Sequence, residues 1–299
     1  MGRLKIAKAV NSTVTLTGTV EVLHDWWYVS GIVDAGASTV KNGGGSCERH
    51  STIDAGTMTF NNFTFNKGCS YDATIIGSMD VNGNLIINNT NSGSLLIGGV
   101  IQVAGDVTLQ NNGGDSDGDT GLTLDGTGAQ TITRTGGNWP EGAVAINKPS
   151  GVATLGSVWT LNGTGQTLTI NSGTLDLAGN NLTVTSSFII QDGGGLRFQG
   201  DETTPTPTLN SGSSVTYTGN QTYAVQNWSY SNLIFQGTGT FNLGYALDLD
   251  GNLSISSGTF DVVADTNTIN LEGTGPAWLE RPLRSETPPS PLMDQEIRI

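Results

Sequence analysis

The chain has 299 residues, of which 43 are Gly, 40 Thr, 26 Asn and 25 Ser, so four small or turn-favouring types fill nearly half of it. Charged residues make up 13 %, and 12 Lys plus Arg against 26 Asp plus Glu leave a net charge of −14. That balance argues against nucleic acid and anionic membranes as partners, because both are held by clustered cations, while Val, Leu and Ile recur too regularly for disorder.

Taken in chain order, Met1 to Lys8 is positive but lacks the apolar stretch that completes a signal peptide, and no run approaches a membrane-spanning length. A surface-type composition without a visible export signal suggests a mature form or an internal piece of something longer. Residues 1–11 read as a lead-in or cap. Trp26, Trp27 and Tyr28 form a first aromatic cluster, suited either to plugging one end of the fold or to stacking on a sugar or another protein.

Cys47 and Cys69 are the only two cysteines, which makes them the candidate disulfide. Free thiols, or a metal site shared with His24 and His50, are the alternatives. Asp115, Asp117 and Asp119 place alternate carboxylates on a glycine-rich loop that could converge on calcium as hard oxygen ligands. They do not match an EF-hand, since Gly118 precedes the third acidic position and Gly126 stands where its closing Glu belongs. A solvated acidic insertion is the competing reading. No cofactor is expected, with calcium the possible exception.

The most informative stretch runs from Leu161 to Leu196, where Leu161, Leu168, Leu175, Leu182, Ile189 and Leu196 recur at a constant spacing of seven. A coiled coil is ruled out by Gly163, Gly165, Gly173, Gly179 and Gly193 to Gly195, each of which costs a helix interior roughly 1 kcal/mol. Around each anchor the pattern alternates over a few positions and then meets a turn phrase, as short strands do. A longer repeat agrees. Leu85-Ile86-Ile87 returns at nearly equal intervals as Leu168-Thr169-Ile170 and Leu253-Ser254-Ile255, and Ser172-Gly173-Thr174-Leu175-Asp176-Leu177 returns as Ser257-Gly258-Thr259-Phe260-Asp261-Val262.

Three strands of seven make a coil of about 21 residues, and four coils make the longer period. Residues 12–275 are therefore expected to form an all-β, single-stranded parallel β-helix, or β-solenoid, of roughly twelve coils stacked over about 60 Å. Right-handed coiling follows from the usual hand of parallel β connections. The expected stacking sets Leu161 on Leu182, Leu168 on Ile189, Leu175 on Leu196 and Gly173 on Gly194. Cys47 and Cys69 are separated by about one coil, so a bridge between them would join two stacked turns. Tandem β-sandwich modules of about 85 residues are the alternative fold, but they have no reason to keep a period of seven.

Beyond this stretch, Tyr217, Tyr223, Trp228 and Tyr230 form a second aromatic cluster and are the candidates for stacking on a ligand, with core filling as the other reading. Asp176, Asp248, Asp250 and Asp261 fall on alternating positions that point them to solvent. Pro276, Pro282, Pro288, Pro289 and Pro291 crowd residues 276–299, which read as a non-solenoid tail or linker.

Gly128-Ala129-Gln130-Thr131-Ile132, Ala145-Ile146-Asn147-Lys148, Phe63-Thr64-Phe65-Asn66-Lys67 and the Ser172 to Leu177 phrase resemble the Gly/Thr/Asn-rich repeats of bacterial surface proteins. Autotransporter-like and adhesin-like parallel β-helices are among these. The resemblance implies a secreted or cell-surface structural or adhesive protein, serving as stalk, adhesin passenger or filament subunit. It supplies no catalytic residues. Other surface proteins, copies of the same chain or glycans are the expected partners, with no nucleic acid and no direct membrane insertion. A carbohydrate-binding or glycan-active β-helix is the alternative. Residues 68–280 carry Arg134, Lys148 and Arg197 against 18 acidic residues, a poor surface for polyanions, and neither histidine stands in a nucleophile motif, so the balance leans away from an enzyme.

Overall fold

A computed structural model describes residues 2–47, 49–88, 96–110, 118–262 and 269–271. It is an all-β parallel solenoid of about 11 turns of roughly 22 residues. Three faces wind around one apolar core. Face I is a continuous parallel ladder that starts with Thr19–Val22, Thr39–Asn42, Asn62–Phe65, Leu85–Ile87, Val107–Gln110 and Gln130–Gly136. It continues through the second halves of Val144–Leu155 and Thr167–Asp176, then Gly194–Phe198, Ser214–Tyr217, Asn232–Phe235 and Leu253–Ile255.

Face II runs from Thr59–Phe60 through Ser78–Val81, Val100–Val103 and Gly121–Leu124 to Ser187–Ile190 and Thr208–Leu209, using the first halves of the two long strands on the way. Face III stacks Leu4–Ala7, Trp26–Ser30, Ser51–Asp54, Ala73–Ile76 and Leu96–Ile97. Toward the other end, Thr222–Ala224, Thr240–Asn242 and Thr259–Asp261 form one short ladder, and Ser229–Tyr230, Leu247–Leu249 and Ile269–Leu271 another. Among the described residues no helix is long and apolar enough to cross a membrane.

Alternation turns sequence into packing. Phe63, Leu85, Val107 and Ile132 stand in one inward row and are at most 1 % exposed. Each such side chain contributes roughly 1.5–3 kcal/mol by leaving water. The outward residues between them meet solvent. At the start of face I strands, one side-chain oxygen per coil accepts from the next coil's backbone: Asn84 N–H donates to Asn62 Oδ1 (2.8 Å), Asp106 N–H to Asn84 Oδ1 (2.9 Å) and Thr131 N–H to Asp106 Oδ1 (2.7 Å). This is why Gly-Asn or Gly-Asp recurs before the apolar triplets.

The coils are not uniform. Registered neighbours on face I are as close in sequence as Val215 and Leu233 and as distant as Gln110 and Gly136, so the corners absorb most of the insertions. Leu175 faces Leu196 and Gly173 faces Gly194, as the expected period requires. Leu161 instead stands beside Val184, with Trp159 beside Leu182, and Leu168 stands beside Phe188 rather than Ile189. The seven-residue repeat thus holds along one face and slips on the others, because the corners on either side differ in length. Leu4–Ala7 already belongs to the first coil through Leu4 beside Trp26, so the solenoid begins before residue 12. Residues 276–299 lie outside the described residues.

The returning Ser-Gly-Thr phrase has a steric cause. Gly173 and Gly258 have φ of 78° and 80°, and a Cβ would lie 2.8 Å from Lys148 Cβ at the first and 2.4 Å from Gly237 O at the second. Only glycine both adopts that conformation and lets the coil beneath approach so closely.

Candidate functional site

One polar corner is tied together across the first coils. Cys47 and Cys69 fall one coil apart with Cα atoms at 5.1 Å and are joined by a disulfide. Behind them Lys67 is fully buried, its Nζ donating to Arg49 O (3.2 Å) and Leu23 O (3.4 Å), so one ammonium touches carbonyls of two other segments. Asn42 Nδ2 donates to His24 O (2.8 Å), Ser51 Oγ to Asn42 Oδ1 (2.9 Å), and Asn88 Nδ2 to Asn66 Oδ1 (2.9 Å). His50 Nδ1 accepts from the Asp72 backbone N–H (3.1 Å) and its ring meets Tyr71 edge-on at 5.2 Å. Both sulfurs are engaged in the disulfide, so they cannot serve a metal with His24 and His50, and among the described residues no three His, Cys, Asp or Glu side chains are grouped to hold an ion.

A second buried cation sits near mid-rod. Lys148, 1 % exposed, donates from Nζ to Gly126 O (2.7 Å) and to Gln130 Oε1. Gln130 Nε2 in turn donates to Gly105 O (2.6 Å) and Val103 O (2.8 Å). Desolvation lowers the Lys148 pKa against the opposing charge of Asp125, and desolvation followed by the charge of Asp80 raises that of Asp125. Gln166 repeats the device, donating to Pro140 O (2.7 Å) and Gly142 O (3.2 Å). Sequence reasoning missed both lysines and both glutamines. The signals were present as Asn66-Lys67 and Asn147-Lys148, rare cations directly after an apolar strand, and as Gly-Gln-Thr-type phrases at the corners.

The second aromatic cluster is interior. Tyr217 and Tyr230 are 0 and 1 % exposed, and Trp228 and Tyr223 only 6 and 8 %. Tyr217 packs against Phe198 at 4.5 Å and Phe235 at 5.3 Å between centroids. Its hydroxyl accepts from Gln226 N–H (2.7 Å) and lies 3.1 Å from the Tyr230 hydroxyl, which donates to Gln226 O (2.7 Å). Burial pushes both phenols well above their usual pKa. A sugar-stacking role has no exposed ring to rest on here, because these side chains fill the wide core of the last coils.

The first cluster divides by alternation. Trp26 is buried and directs Nε1 to Met58 Sδ (3.2 Å), whereas Trp27 is 37 % exposed on the outer side of face III, with the Arg3 guanidinium 5.8 Å from its ring centroid. Lys5, Asp54 and Ile76 share its outward row. Of the acidic trio, Asp115 and Asp117 lie outside the described residues, and Asp119 Oδ1 accepts from Gly98 N–H (2.6 Å). Asp176 pairs with Arg197 Nη2 at 2.5 Å, and Asp248 and Asp250 are exposed. An interior cavity of about 10 Å³, lined by Leu85, Ile101, Trp139 and Trp159 among others, is at the lower limit for one water. No protein-family model, curated protein or solved structure matches the chain.

Proposed function

We propose that the chain is a structural or adhesive rod working outside the cytoplasm, as a stalk, an adhesin passenger or a filament subunit. The observation that carries this reading is the unbroken face I ladder together with the disulfide across its first coils. Every coil hydrogen-bonds to the next along the axis, the arrangement a load-bearing element needs, and a lasting disulfide belongs to an oxidising compartment. Outward threonine, serine and asparagine with few cations keep the rod in solvent. Its partners are other surface proteins, copies of itself or glycans. The test is to label intact cells of the source organism with a membrane-impermeant amine reagent and to map thiols by mass spectrometry without reductant. Labelling from outside with Cys47 and Cys69 bonded supports the proposal; an unlabelled protein with both thiols free sinks it.

Glycan binding is the second reading, and Trp27 is the observation in its favour, since an exposed ring beside Asp54 and Lys5 offers both a stacking plane and hydrogen-bonding groups. Binding on a glycan array should vanish with Trp27→Ala. Binding that survives this change removes face III as a sugar platform.

A further inference from the structure

We propose that Lys148 and Gln130 join through their side chains, the Lys148 amine displacing ammonia from the Gln130 carboxamide to leave an amide bond between two successive coils. The two residues stand at stacked corners, Lys148 being 22 residues, one coil, beyond Gly126. These corners approach closely, since a Cβ on Gly151 would lie 2.4 Å from Gly128 O. Lys148 and Gln130 are each 1 % exposed, so water, the competing nucleophile, is kept away. Lys148 Nζ bonds to the Gln130 carboxamide oxygen. Gly126 holds both groups, its carbonyl accepting from Nζ (2.7 Å) and its N–H donating to Gln130 Oε1 (3.2 Å). From the other side Gly105 O (2.6 Å) and Val103 O (2.8 Å) fix Gln130 Nε2.

The carboxamide cradle does not need the lysine. Gln166 repeats it, with Gly163 N–H on Oε1 (3.1 Å) and Nε2 on Pro140 O (2.7 Å) and Gly142 O (3.2 Å), yet among the described residues no lysine bonds to it. At Gln130 an amine is added to a site that is already complete. Both acceptors of Lys148 Nζ are neutral oxygens, and desolvation lowers its pKa against the opposing charge of Asp125, which enlarges the share of neutral, nucleophilic amine. Two donors on Gln130 Oε1 polarise the carbonyl and hold the charge that develops there during attack. Since Nζ already touches this oxygen, the carbon Cδ is one C=O bond, about 1.2 Å, further on. The Nζ–Cδ bond forms and the Cδ–Nε2 bond breaks. Of the three protons of the Lys148 ammonium, one stays on the new amide and two leave with Nε2, which departs as an ammonium ion. No oxidant is consumed, so this link does not rest on the rod's being exported.

The experiment is intact-mass spectrometry of the full chain, unfolded and with its disulfide reduced. The expected mass is about 17 Da, one ammonia, below that of the sequence. Trypsin cuts after Arg134, between the two residues, so the peptide holding Gln130 should emerge joined to the one holding Lys148. Lys148→Arg keeps the positive charge but forms no such bond, and should carry its full sequence mass. A natural chain at full mass, with the two peptides separate, overturns the proposal. So does a loss of ammonia that persists in Lys148→Arg, which would assign it to ring closure at an asparagine. The joined peptides of the natural chain decide the matter even where Lys148→Arg fails to fold.

Discussion

At Glu202 three backbone N–H groups, those of Gly179, Gln199 and Gly200, converge on one carboxylate that is only 4 % exposed, each at 2.9 Å. Accepting bonds of this kind are stronger when the acceptor is charged, and a buried donor left without a partner is costly. Glu202→Gln turns one acceptor oxygen into an amide that faces N–H groups, and should cost about 2 kcal/mol, read as a fall in the urea midpoint. The tyrosine pair gives a pH effect of definite sign. Burial raises the folded pKa of Tyr217 and Tyr230 above the unfolded value of about 10, so their contribution is intact below that pH and is lost as pH climbs above it. The melting temperature should therefore drop once pH passes about 10, and Tyr230→Phe should flatten the drop while costing about 1 kcal/mol at neutral pH through the lost bond to Gln226 O. A melting temperature that stays level through that range would contradict this account.

Between strands, the corners decide local stability. The Cys47–Cys69 bond spans a sequence separation of 22 across one corner, a closure for which chain entropy suggests about 3 kcal/mol. Since a solenoid is stabilised coil by coil, that contribution should be local. Reduction, or Cys47→Ser with Cys69→Ser, is expected to speed hydrogen exchange over residues 39–76 while leaving Gly194–Ile255 unchanged. Uniform acceleration along the rod would mean that the molecule unfolds as one unit. Lys67 belongs to the same corner, where its ammonium donates to the carbonyls of Leu23 and Arg49, two residues outside the described strands. Strand positions were readable because alternation exposes itself in sequence, as in Leu253-Ser254-Ile255. The polar contents of the corners were not, because a lone Lys or Gln has no period, and its value depends on which carbonyls the coil above and below bring to it.

For the whole rod, stacking makes length adjustable. Leu175 and Leu196 are registered neighbours, as are Thr174 and Gly195, so excising residues 175–195 removes one complete turn and rejoins face I in register. That variant should keep its β-sheet circular dichroism and melt cooperatively. Excising only 175–184 should leave the chain unfolded or aggregated, because half a turn sends inward residues to solvent. What the amino-acid order determined by itself was the architecture: glycine and asparagine at the turns, alternating apolar triplets between them, and an average coil close to the roughly 22 residues of the structure. What only the tertiary structure decided was which rings face inward and how many residues each corner holds. Trp27 and Trp228 are alike as letters, yet one lies on an outer row and the other in the core, because corners that vary in length shift the register from coil to coil. Burial in a solenoid is set by the turns stacked above and below, each a full coil away along the chain, and a residue's own segment does not record them.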